Sequence, residues 1–478
     1  MAIPTFQLAP DLPPVSRLCF GTMTMGEQNG SASSLRLLDA AFDAGVNFFD
    51  SAEMNTPAVS TVPPSLPFPS RDTFPSKNKR GASSQTCDVR YPVPQRRETN
   101  GRSEELLGRW LRACRAPRDS VVIATKFAEA WSGLHRPIPD TLGLTGSLPC
   151  TFYVPMFGET EYDPSYQYAS VSMEEQLEAL GRAIDAGKIR YIGLSNETPY
   201  GLMKFLQLSK DLQLRSKLLT VQNSYNLLCR NFDSGLAECC HHERIHLLAY
   251  SPMAMGILSG KYHSSDDCGP PDARMNLFKG RYSEGESRYK LQSPRVKGAV
   301  KEYTRIAAKH GISPAVLAIG TMTMGEQNGS ASSLRLPRRR LRRRRQLLRL
   351  RRDEHPPPFP RLRRLGVDYI DLYQIHWPDR YVPMFGETEY DPSYQYASVS
   401  MEEQLEALGR AIDAGKIRYI GLSNETPYGL MKFLQLSKDL QLRSKLLTVQ
   451  NSYNLPCRNF DSGLAECCHH ERIHLLAY

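Results

Sequence analysis

Residues 153–250 recur as residues 381–478 at a constant offset of 228, with one difference: Leu228 of the first copy is Pro456 of the second. The repeated stretch is 98 residues of mixed, non-periodic sequence. Solenoid repeats are shorter and drift apart. A copy this long and this faithful points to recent duplication, or to two neighbouring genes joined into one. Whatever these residues fold into, the chain must build it twice.

A second repeat narrows the origin. Gly21–Leu37 recurs as Gly320–Leu336, after which the two stretches part completely. The first continues LDAAFDAGVNFFDSAEMNTP and the second PRRRLRRRRQLLRLRRDEHP. Shifting the reading frame by one base converts one into the other. Asp (GA-) becomes CGA, Arg; Ala (GC-) becomes CGC, Arg; Phe (TT-) becomes CTT, Leu. The fixed G of the Met54 codon turns Asn55 into GAA, which is Glu354. Residues 337–356 thus read as an out-of-frame translation of the DNA encoding 38–57.

That reading disposes of the charge. The chain carries +10 overall, and Arg338–Arg352 contributes 10 arginines and no acid, so the remainder is neutral. A specific nucleic-acid role is not expected, although such a run attracts polyanions. With 41% hydrophobic and 23% charged residues the composition is that of a globular protein. No apolar run is long enough to span a bilayer, and no signal peptide precedes the first strand-like segment at Arg17–Gly21. The 11 cysteines are scattered, which suits a reducing, cytoplasmic setting better than a disulfide framework.

Hydrophobic periodicity predicts alternating strands and helices. Strands are expected at Arg17–Gly21, Val46–Asp50, Val121–Lys126, Arg190–Ser195, Leu218–Gln222 and Ile245–Tyr250. Helices are expected at Ala32–Ala44, Ser103–Cys114, Met173–Ala186, Pro199–Asp211 and Phe232–Glu243. Strand–helix alternation with short joins means parallel strands under crossover helices. No Gly-x-Gly-x-x-Gly follows a strand, which argues against the dinucleotide fold with that fingerprint. The fold class is therefore α/β, and the repetition favours a closed (β/α) barrel, incomplete and rearranged, with a partial second copy.

Two segments break the rhythm. Residues 55–90 are rich in Pro, Ser and Thr and read as a disordered loop or an unspliced intron. Residues 127–151 lack the helix and strand expected there. That missing unit stands far downstream, at Leu362–Tyr373. One barrel is then expected to borrow 367–373 as its fourth strand and to take 190–250 for the next three, leaving 381–478 loosely docked. The chain divides into 1–320, a barrel lacking strands four and eight; 321–360, the repeated motif and shifted-frame linker; and 361–478, a partial second copy.

The motifs GTMTMGEQN, NFFDSAEM…YPVP, ATKF, LGVDYIDLYQIHWP, GKIRYIGLSNET, TVQNSYNLL and LLAYSPMAMGILSGKY, several of them in the expected order, resemble the Tas-like branch of the aldo-keto reductase family. The likeness covers everything except 55–90, 127–152 and 337–360. It implies a (β/α)8 TIM barrel that reduces small-molecule carbonyls with NADPH, with a tetrad of Asp50, Tyr91, Lys126 and His376 at the C-terminal ends of its strands. By the same resemblance Ser195, Asn196 and Gln222 hold the nicotinamide amide. Tyr250 stacks on its ring, and Ser251, Pro252, Leu258, Gly260 and Lys261 belong to the segment that wraps the pyrophosphate. The preference for NADPH also comes from the resemblance, since the loop that grips the adenosine 2′-phosphate follows an eighth strand with no counterpart here. An alternative is a non-catalytic nicotinamide-binding subunit, or a product that does not function.

Taken alone, an Asp after a strand is commonly a helix cap and a Lys at a strand end a solvated surface group. It is their order with the other motifs that singles them out. Cys239-Cys240-His241-His242 has the composition of a metal site, but adjacent residues on a helix point about 100° apart and do not converge on one ion. No metal is expected.

Overall fold

In a computed structural model the described residues are 3–26, 28–52, 102–113, 117–126, 150–151, 162–163, 169–263, 269–277, 289–322, 360–383, 387 and 389–478. The chain forms two compact units, 1–128 and 129–478. Tyr91 and the insert at 55–90 lie outside the described residues, as does the shifted-frame stretch at 337–356.

Among its described residues the first unit has a three-stranded parallel sheet with two helices, beside a short antiparallel pair of Thr5–Phe6 with Val15–Ser16. Strands β1 (Cys19–Gly21), β2 (Phe48–Asp50) and β3 (Val122–Ala124) lie in that order. Helix α1 (Ser31–Asp43) turns Leu38 and Ala41 inward at the spacing of one helix face. It stops where Gly45 takes a φ of 97°, a conformation that favours glycine. Helix α2 (Arg102–Ala113) adds Leu106, Leu107 and Trp110 to the same core. The Trp110 ring packs 4.8 Å from Phe49, and its indole N–H donates to Asp39 at 2.9 Å. A buried aromatic with a polar handle is thereby satisfied at both ends.

The second unit holds both copies of the long repeat. In the first copy α3 (Met173–Asp185), β4 (Ile192–Ser195), α4 (Pro199–Asp211), β5 (Leu218–Ser224), α5 (Leu236–Glu243) and β6 (His246–Tyr250) build a parallel sheet in the order β4-β5-β6. Helices α6 (Pro294–Lys309) and α7 (Pro314–Met322) follow. In the second copy β7 (Ile370–Ile375) precedes α8 (Met401–Asp413), β8 (Ile417–Ser423), α9 (Pro427–Asp439), β9 (Leu446–Asn451), α10 (Leu464–Glu471) and β10 (His474–Ala477). These four strands form the parallel sheet β7-β8-β9-β10.

Identical sequence makes identical caps. Ser172 and Ser400 each accept the backbone N–H three residues on, at 3.1 Å, in the pattern of a capping box. Thr198 and Thr426 do the same for α4 and α9, each followed by proline at the first helical position.

The two copies meet face to face as a two-fold pair. Lys204 reaches Glu471 at 2.9 Å and, 228 residues on, Lys432 reaches Glu243 at 2.8 Å. Lys210 pairs with Asp439 at 2.8 Å and Lys438 with Asp211 at 2.9 Å. Tyr200 stacks on His470, and Tyr428 on His242. Residue i touching j while the equivalent of j touches the equivalent of i defines an isologous contact. Behind it Leu202, Cys239, Leu430 and Cys467 are buried in one shared core.

Two expectations are corrected. Strand β7 pairs with β8 of the second copy, Tyr373 opposite Ile420, and not with β4. The edges of β4 and β8 are the same sequence, so the choice falls to the connection. From β7 the chain crosses through α8 to β8, a helical crossover of the kind that joins parallel neighbours. The second copy therefore has a sheet of its own and packs on the first through a common core rather than docking loosely. The helix expected at 232–243 begins only at Leu236. Residues Asn231–Asp233 make a 3-10 turn and Gly235, at φ 91°, breaks the run.

Candidate active site

The order of the first sheet sets the geometry at its C-terminal edge. Asp50 is the last residue of β2 and lies opposite Ala124 of β3 and Gly21 of β1. Lys126, two residues beyond Ala124, reaches back across that edge. Its ammonium donates to both carboxylate oxygens of Asp50 at 2.6 Å and to the carbonyl of Ser51 at 3.1 Å. The pair is largely sheltered, with side chains 22% and 13% exposed. An ion pair held this way keeps one charge in a fixed place at the mouth of a sheet.

Small hydroxyls beneath it fix the backbone. Thr22 donates its N–H to the Asp50 carbonyl at 2.8 Å, and Ser51 donates its own to Ala124 at 2.8 Å. The side chains of Thr22, Ser51 and Ser103 form one buried chain, 2.8 and 3.2 Å apart at Ser103 Oγ. Sequence reading passed over these three, because isolated small polar residues carry no periodic signal. The Ser next to Asp50 was the one available cue.

The residues expected to hold a nicotinamide gather at one end of the β4-β5-β6 sheet. Ser195 stands opposite Gln222, and the Asn196 N–H donates to the Gln222 carbonyl at 2.8 Å. Asn196 sits at φ 56°, a left-handed conformation that asparagine tolerates better than most residues. Tyr250 ends β6 and donates its hydroxyl to Asn196 Oδ1 at 2.6 Å. Asn223, not foreseen as part of this group, brackets Glu197 by accepting from its N–H at 3.1 Å and donating to its carbonyl at 2.9 Å.

The segment after Tyr250 turns tightly. Ser251, Ala254, Met255, Gly256 and Gly260 all have positive φ. Leu258 is buried as the anchor of this loop, and the Ser259 hydroxyl donates to the Gly256 carbonyl at 2.7 Å. A Cβ on Gly260 would stand 2.9 Å from Thr304 Cγ2, so that position takes only glycine without a shift. Lys261 folds back with its ammonium 5.3 Å from the centre of the Tyr262 ring. Pro252 opens the loop.

His376 follows β7 in the second unit, and its carbonyl accepts from Asn424 Nδ2 at 2.9 Å. Its ring leans on Trp377, 5.8 Å between centres. The second copy repeats the end-of-sheet group: the Asn424 N–H donates to Gln450, and Tyr478 donates to Asn424 Oδ1. The neighbour that the structure gives His376 is thus the asparagine of the second copy. Of the Cys-Cys-His-His run, Cys239 and Cys240 are buried in the shared core, and His242 stacks on Tyr428.

The aldo/keto reductase family model matches residues 17–322 and again 361–478. Protein tas of Escherichia coli K12 is 35% identical over 330 residues, covering 64% of this chain and 81% of that protein. L-glyceraldehyde 3-phosphate reductase of Escherichia coli K12 is 33% identical over 185 residues, 37% of this chain and 51% of that protein. An aldo-keto reductase of Babesia bovis is 46% identical over 127 residues, 24% of this chain and 44% of that protein. The parallel sheets flanked by helices are sectors of the (β/α)8 barrel on which that family is built. The chain belongs to the aldo/keto reductase family and is an oxidoreductase whose family-defining sequence is matched twice along its length.

Proposed function

We propose that the chain reduces aldehydes or ketones to alcohols with NADPH, and that Asp50, Lys126, Tyr91 and His376 carry the chemistry. The observation that carries this reading is the Lys126–Asp50 pair at the C-terminal edge of adjacent parallel strands, where barrel active sites sit. When bound, NADPH supplies the hydride that reaches the carbonyl carbon. Negative charge then builds on the carbonyl oxygen and needs a proton. Tyr91 is the donor by its place in the family motif. A free phenol, with pKa near ~10, releases its proton reluctantly at neutral pH. The Lys126 ammonium favours the phenolate and so lowers that barrier, and Asp50 fixes where the ammonium stands. His376 orients the carbonyl.

The residues of the first copy suit the cofactor. Ser195, Asn196 and Gln222 offer amide and hydroxyl partners at one sheet end, and Tyr250 a ring beside them. The left-handed turns from Ser251 to Gly260, with Lys261 at their end, suit a pyrophosphate. Backbone turns of this kind present N–H groups to anions. Tight φ-positive backbone there is otherwise hard to account for.

The test is NADPH oxidation by the full chain against a panel of aldehydes, beside Tyr91→Phe. The variant is expected to lose roughly 10²- to 10⁴-fold in kcat with NADPH binding kept. Deleting 55–90, so that Tyr91 follows Met54, is expected to raise kcat. A chain that binds NADPH and reduces nothing, with or without the deletion, would favour a nicotinamide-binding regulatory subunit.

A further inference from the structure

The two-fold pairing of the copies creates two junctions that ought to be twins, and one residue makes them differ. At the first, the Arg380 guanidinium lies between Glu425 of its own copy and Glu238 of the other. Nη2 donates to Glu425 Oε1 at 2.6 Å and Nη1 to Oε2 at 3.2 Å; Nε donates to Glu238 Oε1 at 3.1 Å, and Nη2 also reaches the Thr426 hydroxyl at 2.9 Å. Both carboxylates are 2% exposed and the arginine 12%. A planar cation with a fork of donors is the side chain suited to satisfy two buried carboxylates at once.

At the second junction the equivalents are Glu197, Thr198 and Glu466. The Thr198 N–H donates to Glu197 Oε1 at 2.8 Å, as Thr426 does to Glu425. Gly201, lacking a side chain, lets the Glu197 carboxylate close over the first turn of α4, as Gly429 does for Glu425. Tyr200 stacks on His470 beside it, as Tyr428 does on His242. The arginine has no counterpart: 228 residues before Arg380 the sequence has Phe152. Among the described residues neither carboxylate has an ion-pair partner. Glu466 is 1% exposed, and its Oε1 has no hydrogen-bond partner.

We propose that Glu197 and Glu466 form a binding site for the guanidinium group of a small ligand, at the junction equivalent to the one that Arg380 fills. A carboxylate held out of water, as Glu466 is, beside the charge of a second one is strongly unfavourable unless a cation or a proton neutralises the pair. The surroundings repeat those that hold a guanidinium at the first junction, down to the threonine cap and the stacked ring pair. Burial pushes the Glu197 carboxyl up to about 7, and burial together with the Glu197 charge raises Glu466 as well. Bound guanidinium displaces the proton that the pair otherwise keeps, so its affinity rises with pH up to about 7.

The test is thermal melting and titration calorimetry of the full chain with low-millimolar guanidinium chloride, a range too dilute to denature. Sodium chloride and urea at equal concentration are the controls. Guanidinium is expected to raise the melting temperature saturably, by roughly 2 to 4 °C once it exceeds its Kd severalfold. Calorimetry is expected to give one site and proton release below pH 7. Glu466→Gln is expected to abolish both signals. Arg380→Ala opens the twin junction and is expected to bind a second guanidinium. Should that variant not fold, the calorimetry of the unaltered chain and of Glu466→Gln decides alone. A response equal to that of sodium chloride, or one that survives Glu466→Gln, overturns the proposal. So does rescue of Arg380→Ala with no response in the unaltered chain, since the pair would then hold a proton only.

Discussion

Lys126 donates to both carboxylate oxygens of Asp50 at 2.6 Å, across 76 residues of sequence. Strand register brings them together, because Asp50 faces Ala124 and Lys126 is the second residue beyond it. Nothing local in either segment announces the contact. It follows from laying β2 beside β3 in parallel, and from the Thr22–Ser103–Ser51 hydroxyl chain that holds the loop after β2. A charge so fixed is what proton transfer at a strand end requires.

The two end-of-sheet groups are not expected to be equivalent toward cofactor. In the second copy the Asn424 amide is taken by the His376 carbonyl at 2.9 Å, whereas the turn from Ser251 to Lys261 directly follows the group of the first copy. Gln222→Ala or Lys261→Ala is expected to raise the Kd for NADPH about tenfold, the loss of one charged or amide hydrogen bond. Gln450→Ala is expected to leave it unchanged. Fluorescence titration of the cofactor checks this, and equal effects of Gln222→Ala and Gln450→Ala would contradict it.

The shared core makes a prediction about symmetry. Leu202 and Leu430 are equivalent, and both are fully buried between the copies. Leu202→Ala and Leu430→Ala are each expected to cost about 2 to 5 kcal/mol, and to agree within about 1 kcal/mol, since cavity cost follows how well a site can collapse. Urea denaturation measures both. A near-silent Leu430→Ala would mean that the second copy does not share the core.

Acid is expected to loosen the same contact. Burial pushes His242 and His470 down to about 4, with Arg380 adding to the effect at His242 and His469 at His470. Their folded pKa is below the unfolded value near ~6.5, so between the two the unfolded chain binds more protons. Their contribution is whole above about 6.5 and is lost as pH falls toward 4. The double variant His242→Gln, His470→Gln is expected to flatten the decline of the urea midpoint over that window. An unchanged slope would show that these rings do not set it.

Much of this was legible in the sequence and some was not. The helices α1, α3 and α4 and the strands of the first copy follow from apolar spacing and caps within a residue or two. The partner of β7 was not legible, because β4 and β8 present the same residues and only the route of the chain chooses. The late start of α5 depends on a positive φ at Gly235 that composition alone does not reveal. The carboxylates Glu238, Glu425 and Glu466 look like ordinary surface residues in the sequence. They become buried only because the copies pair across a two-fold axis, a relationship that a one-dimensional repeat cannot specify.

The most direct test of the account is the rate of NADPH oxidation with an aldehyde by the full chain and by Lys126→Met, with the Kd for NADPH measured on each. Methionine keeps the bulk of the side chain and removes the charge that Asp50 holds. The account predicts turnover by the unaltered chain, a loss of at least about 100-fold in kcat for Lys126→Met, and an unchanged Kd. Equal turnover by the two chains, or a loss that appears only in the Kd, would contradict it.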